Sequence, residues 1–475
     1  MNTFELTPIY SLIKNLTQNK GSDITFEDLK TELTKKDTNG NNEYYLSLKE
    51  DENLCLIYYN NTATNEERNQ FKKELENSCK SIILEKSTLK PISSQFNKIV
   101  YNCDAIECLK EQPWDRVVVQ KCYEGTLMTV FFYKNKWYIT TRRCLDAVSS
   151  NWIKDKSYQD LFFEAINDKF TFDELNKEYC YHFILIHHKN VNIVCYTNLL
   201  GSTYKELFHI LTTEKLTLNE IHGKINDNVK YIDEEKFDSL EDLQKEIEKL
   251  GNLDKHYQKI TLEGYVLKLY QGESHKSNFQ ILKLQTPIYE TLMHMKPNNS
   301  NKDQCFLELY QKNKLVDYLP FFTKYGSDVL KRIHYSMQTI SKEILDLYHM
   351  TRNKKNSDIY KILPESYKKS MYSIHGIYID LRKQDFTKGK GEREREGEGE
   401  GEGEGEGEID KKDLPKSINV YNVYQYLKQL SSIELRQLFY DRQNMVNNPE
   451  FKFINTTCIY TLTQSKLMFK TNKKI

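Results

Sequence analysis

Long apolar runs are missing from this 475-residue chain. Its mean hydropathy is −0.70, and no window approaches the roughly 20 consecutive apolar residues that a bilayer-crossing helix needs. A membrane-spanning helix is excluded, and no membrane partner is expected. Cys-x-x-Cys pairs are also missing. The ten cysteines, at 55, 79, 103, 108, 122, 144, 180, 195, 305 and 458, keep no regular spacing. They read as reduced thiols of a cytoplasmic protein, and a zinc cluster is not expected. Residues 1–11 hold no basic cluster ahead of an apolar run, so no secretory signal is expected. Glycine and proline are scarce at 18 and 9, and eight of the glycines crowd between Gly389 and Gly407. Only ten remain for the rest of the chain, so a glycine beside a carboxylate and a β-rich run is expected to be there for its backbone freedom.

Net charge is absent as well, at a formal zero, but the balance is uneven. Residues 391–408 carry nine Glu against two Arg, a local −7 that leaves +7 on the remainder. A mildly basic remainder is compatible with a polyanionic partner without identifying one. The Gly/Glu repeat buries nothing and repels itself, so about 386–412 is expected to be a disordered insertion.

Two or three domains are expected at this length. Residues 1–88 read as a small α/β module. Thr25 with Asp28 and Thr64 with Glu67 have helix-cap spacing, LCLIYY (54–59) reads as a strand, and nothing there points to chemistry. From 89 to 290 the pattern is of strands, at 115–120, 126–133, 136–141, 181–188, 191–196, 264–270 and 279–284, broken by helices in SYQDLFFEAI, TYKELFHIL and SLEDLQKEIEKL. Ser239 stands at the cap of the last of these, and Gly251 just past its expected end. Residues 291–475 turn mainly helical.

The stretch VVVQKCYEGTLMTVFFYKNKWYITTRRCLDA (117–147) carries the most information. A strand runs into Glu124-Gly125-Thr126, a second leaves it, Lys134-Asn135 reverses the chain, and a third strand ends at Arg142-Arg143. These segments resemble the covalent nucleotidyltransferase superfamily, closest to phage-type RNA ligases and the ligase-like proteins of large DNA viruses. HFILIHHKNVNIVCY resembles the middle strand pair of that family. Glu263-Gly264-Tyr265-Val266 resembles its Glu-Gly-x-Val motif, and Lys283-Leu284-Gln285 its closing Lys-x-Lys strand.

The resemblance implies an α+β, ATP-grasp-like ligase domain of two antiparallel sheets at 89–290, between the small N-terminal module and the helical C-terminal domain. It further implies ATP and Mg²⁺ as cofactors, nucleotide and RNA or other nucleic-acid ends as partners, and a location in a host cytoplasm or virion. Lys121 would be the nucleophile, Glu263 would orient the metal and the lysine, and Lys283 would touch the α-phosphate. Glu124, Gly125, Thr126, Gly264 and Lys268 would line the nucleotide, with Arg142 or Arg143 as a phosphate clamp.

Three positions depart from the family pattern. The lysine of the motif stands three residues before its glycine, where this chain has Cys122, with Lys121 one residue earlier. Strand side chains alternate, so Lys121 reaches the cleft only through a β-bulge at 121–125. The middle motif's glutamate falls on Ile184, and the second closing lysine on Gln285. Three expectations therefore stand side by side: an ATP-dependent RNA ligase working through lysyl-AMP, a catalytically degenerate nucleotide- or RNA-binding relative, and an mRNA capping guanylyltransferase.

Overall fold

A computed structural model of the chain describes residues 2–60, 69–95, 98–151, 156–190, 192–271, 279–295, 302–321, 328–352, 357–393, 417–446 and 448–451. The chain divides into two compact units, Met1–Met293 and His294–Ile475. Among the described residues no helix is long and apolar enough to cross a membrane.

The first unit is α+β and takes in both the expected N-terminal module and the expected central domain. Strands β1 (Leu46–Glu50), β2 (Leu54–Tyr59), β3 (Ser81–Glu85) and β4 (Pro91–Gln95) form an antiparallel sheet in chain order. Helices α1 (Pro8–Lys20), α2 (Phe26–Leu33) and α3 (Gln70–Ser78) cover one face, where Ile9, Leu29 and Leu75 meet Cys55, Ile57 and Ile82. Leu54, Leu56 and Ile83 point the other way, onto Phe131 and Cys180 of a second sheet. LCLI lacks polar alternation because both of its faces are buried. The Thr25–Asp28 capping box forms as expected, whereas Thr64 and Glu67 lie outside the described residues and Asn69 caps α3.

Strand β5 (Val100–Tyr101) leads into α4 (Asn102–Leu109), and β6 (Val117–Cys122) follows. The second sheet holds β7 (Thr126–Tyr133), β8 (Lys136–Thr141), β9 (Tyr179–His187), β10 (Lys205–Glu214), β11 (Glu220–Ile221) and β12 (Lys230–Tyr231). Lys134 and Asn135 both take positive φ, at 43° and 67°, so a tight turn closes the β7–β8 hairpin. Helix α5 (Tyr158–Ile166), with its Ser157–Asp160 capping box, packs on this sheet, and a short α6 (Thr197–Leu200) precedes β10.

The third sheet runs β13 (Glu234–Glu235), β6, β14 (Gly264–Tyr270), β15 (Phe279–Gln285), β5. Helices α4 and α7 (Leu240–Tyr257) cover one of its faces, through Leu109, Leu243 and Ile247 against Val119, Tyr265, Leu267 and Leu282. Two pairings, β10 with β12 and β15 with β5, are parallel, a departure from purely antiparallel sheets. Helix α8 (Pro287–Met295) follows β15.

Three expected elements differ. TYKELFHIL is strand, not helix: Leu207, Phe208 and His209 are all buried, and a strand covered on both faces loses the alternation that marks it. Described residues 192–196 form no strand, because the N–H groups of Ile193 and Val194 are given to the Glu124 carboxylate. Helix α7 runs through Gly251 to a left-handed cap at Gln258, and Gly251 lets Pro287 approach, its Cδ lying 3.3 Å from where a Cβ would stand.

The second unit is helical: α9 (Lys302–Gln311), α10 (Leu315–Tyr318), α11 (Val329–Thr351), α12 (Ser357–Ile362), α13 (Glu365–Arg393), α14 (Val420–Gln429) and α15 (Ser432–Val446). Its core includes the α11 stripe Ile333, Met337, Ile340 and Ile344. The Arg442 guanidinium, buried on α15, donates to both oxygens of Glu343 on α11, with Nη2 2.7 Å from Oε2. The helical backbone of α13 enters the expected insertion as far as Arg393, and 394–412 of that segment lie outside the described residues.

Candidate active-site cavity

Strand parity builds the site. β6 pairs with β14 in unbroken register from Val117 against Leu269 to Cys122 against Gly264. The bulge expected at Lys121 is therefore absent from β6. Val119 faces the helices, so Cys122 faces away from them and Lys121 does not. Lys121 turns its ammonium to Glu235 on β13, with Nζ 2.7 Å from Oε1, and this bond raises its pKa. Gln120 and Cys122 of β6, Val266 and Lys268 of β14, and Ile281 and Lys283 of β15 line a cavity of about 380 Å³. Small-molecule sites commonly enclose ~300–1,000 Å³. Leu127, Ile184 and Ile210 of the second sheet supply an apolar wall, so Ile184 faces the cavity.

Glu263 and Lys283 meet in the cavity, Nζ to Oε1 3.0 Å, and Gln285 Nε2 donates to the same oxygen at 3.0 Å. Asn102 holds Gln285 from behind, accepting its backbone N–H at 2.9 Å and donating to its side-chain oxygen at 3.2 Å. Gln285 thus positions the carboxylate instead of supplying a second cation. Burial works against charge on Lys283, but the Glu263 carboxylate beside it holds its pKa above the ordinary lysine range. Burial, with Glu263 next to it, pushes the Cys122 thiol far up, so it stays protonated.

Lys80 was not marked by the sequence. It stands just before β3 in the segment that pointed to no chemistry, yet it lines the same cavity. Burial, together with the cations Lys283 and Arg142, brings its pKa down to about 7.

Glu124 also lines the cavity, and its Oε2 accepts the N–H groups of Ile193 at 2.6 Å and Val194 at 2.8 Å. Its carbonyl accepts from the Tyr196 hydroxyl at 2.8 Å. Gly125 is demanded by the neighbouring strand, since a Cβ there would stand 2.5 Å from Ile184 Cγ2 and 2.7 Å from Leu185 O. Gly264 has φ +148°, and a Cβ would fall 2.1 Å from Leu284 O. Thr126 opens β7, paired with Leu185. Lys268 forms a buried pair with Glu220 at 2.9 Å. Arg142 stacks 4.0 Å over Tyr59 and donates to its carbonyl, and Arg143 lies 6.0 Å over Tyr58. Both arginines therefore engage the first sheet. Among the described residues no group of three His, Cys, Asp or Glu could hold a metal ion.

No family model matches the chain. It is similar to a protein described as immediate-early protein ICP-46 homolog from Invertebrate iridescent virus 3, with 30% identity over 156 residues, covering 30% of this chain and 35% of that relative. The protein of the same description from Invertebrate iridescent virus 6 is 29% identical over 138 residues, covering 29% of this chain and 25% of the relative. The chain spans about a third and a quarter of these two proteins. Among solved structures it resembles a putative ATP-dependent DNA ligase from Aquifex aeolicus at TM-score 0.34 and 13% identity, covering 63% of this chain and 78% of that one. It also resembles an archaeal ATP-dependent RNA ligase at TM-score 0.35 and 11% identity, covering 66% and 79%.

Proposed function

We propose that the cavity is a nucleoside triphosphate site and that the chain is a ligase-like nucleotidyltransferase joining RNA ends, with ATP as its nucleotide. The observation that carries this reading is the Lys283 cation, held by Glu263 inside a cavity whose opposite wall is apolar. An apolar wall suits the flat face of a base, and a desolvated ammonium suits a phosphate oxygen better than it would in water. Lys283 would meet the α-phosphate, where charge accumulates as pyrophosphate leaves. Glu263 keeps Lys283 charged and oriented. Lys268 and Glu124 are already held by buried partners, which suits them to fix the walls.

A Mg²⁺ ion fits the chemistry of this donor set. Of the two carboxylates in the cavity, Glu124 accepts the Ile193 and Val194 N–H groups, so Glu263 is the one suited to an ion that arrives on nucleotide phosphates and keeps most of its waters. Glu263 would hold it, and the ion would supply positive charge to the phosphate oxygens.

A second reading, a degenerate nucleotide- or RNA-binding protein, is favoured by Cys122 at the motif's lysine position and by the Lys121–Glu235 pair. The experiment that separates the two offers RNA with 5′-phosphate and 3′-hydroxyl ends, ATP or GTP, and Mg²⁺. The ligase reading predicts joined product with ATP, lost in Glu263→Ala. Absence of product, with RNA retained on filters by folded protein, selects the degenerate reading.

A further inference from the structure

The second sheet carries a run of lysines that starts beside the cavity. Ile232 lines the cavity, and Lys230 of β12 stands two residues before it. Tyr123, another cavity residue, stacks on Phe208 with ring centroids 4.4 Å apart, and the Lys230 ammonium lies 5.9 Å over the same Phe208 ring. From there the cations continue along the paired ends of β9 and β10, where Lys205 stands opposite His187. Glu206 takes Lys230 at 3.2 Å and Lys169 at 2.9 Å, while Glu164 of α5 takes Lys205 at 2.8 Å and also Lys156. Lys189, just past β9, comes close enough to Lys156 to lower its pKa.

We propose that Lys230, Lys169, Lys205, Lys156 and Lys189 form a track for the phosphodiester backbone of RNA, running to the rim of the cavity. The proposal says where the RNA lies, and it rests on reading the chain as one that joins RNA ends.

Charge is in excess along this run. Two carboxylates there serve four ammonium groups, and Lys189 adds a fifth cation. His187 also meets Glu164, at 3.3 Å, but burial takes its pKa down to about 4, so at neutral pH it brings no charge. Asp160, whose charge acts on Lys156, is committed to capping α5, where it accepts the N–H and the hydroxyl of Ser157 at 2.8 Å each. Lys189, Lys205 and Lys230 are exposed. Ion pairs open to water are worth only ~0–1 kcal/mol, so exchanging a carboxylate for a phosphate oxygen costs little. The buried Lys268–Glu220 pair has no such freedom. A phosphate between Lys156 and Lys189 would also relieve the repulsion of two like charges held side by side. Lysine ammonium groups are point charges that meet phosphates in any sequence, so the track holds and orients a strand without reading its bases.

The test measures filter binding of a labelled single-stranded RNA of mixed sequence to the intact chain across a salt series. Lys189→Gln/Lys205→Gln/Lys230→Gln removes three exposed cations from the track. Lys245→Gln/Lys249→Gln/Lys255→Gln removes as many from α7, on the third sheet, and matches the change in net charge. Each phosphate contact contributes roughly 0.7 to the slope of log affinity against log salt on a single strand, so the track variant should lose about 2 from the slope and bind about tenfold or more weakly at low salt. The α7 variant should keep the wild-type slope. Equal slopes in the two variants, or no RNA bound by wild type, overturns the track. Calorimetric titration of ATP into the same proteins separates this from the reading of the cavity. ATP bound alike by wild type and track variant leaves the cavity reading standing whatever the slopes are. No ATP bound by folded wild type overturns the cavity reading, while the slopes still decide the track.

Discussion

Lys80 and Lys283 share one cavity, but burial, with the cations Lys283 and Arg142, lowers the proton affinity of Lys80, whereas the Glu263 carboxylate in contact with Lys283 raises that of Lys283. For Lys80 this is also a statement about stability. Its folded pKa, about 7, lies below that of an unfolded lysine, so the unfolded chain binds more protons between those two values. Stability attributable to this residue therefore rises with pH across that window. Lys80→Met should melt higher than wild type at pH 6, and the gap should shrink steadily from pH 7 to about pH 10. Thermal melts at several pH values check it, and a gap that does not vary with pH would contradict the desolvated lysine. Glu124→Gln tests the wall: one oxygen accepts two backbone N–H groups, and a neutral acceptor that satisfies them less well should cost about 1–3 kcal/mol in denaturant melts. Glu124, Glu263 and Lys283 were marked from sequence as neighbours of one cavity because each stands on or beside a strand end, where spacing and parity decide which side chains meet, whereas the bulge expected to turn Lys121 inward is absent from β6 and strand parity puts Cys122 on that face. Lys80 was not legible, because no local spacing links the head of β3 to a cavity built by β6, β14 and β15.

At the scale of the element, Gly264 carries the heaviest constraint. Its φ of +148° and the 2.1 Å approach of a Cβ to Leu284 O leave no room for a side chain between β14 and β15. Gly264→Ala should shift that pairing, cost more than ~3 kcal/mol and separate Glu263 from Lys283; a melt within about 1 kcal/mol of wild type would contradict the register. The strands around this glycine were read correctly because Tyr265, Leu267 and Leu269 of β14 and Leu282 and Leu284 of β15 recur at every second position, the period of a strand packed on helices. β10 was misread as helix because both of its faces are covered. The segment after β9 was misread as strand because an apolar run does not reveal that its N–H groups serve a carboxylate in another loop.

At the scale of the whole molecule, charge and composition speak more clearly than periodicity. The Gly/Glu repeat has neither helix propensity nor apolar surface, so removing 394–408 should leave the thermal midpoint within about 2 °C of wild type. In the helical unit, Arg442→Met would take the guanidinium from the largely buried Glu343 carboxylate, which keeps the Tyr367 hydroxyl as a donor, and about 3 kcal/mol should be lost in denaturant melts. RNA held by the mildly basic remainder should weaken linearly in log affinity against log salt, a test independent of the cavity. The central claim, a triphosphate site organised by the Lys283 cation, is met most directly by calorimetric titration of ATP into the intact chain and into Lys283→Met. The account predicts saturable binding by wild type and its loss in the variant, with both proteins folded. Equal ATP affinity in the two proteins, or no heat from wild type, would contradict it.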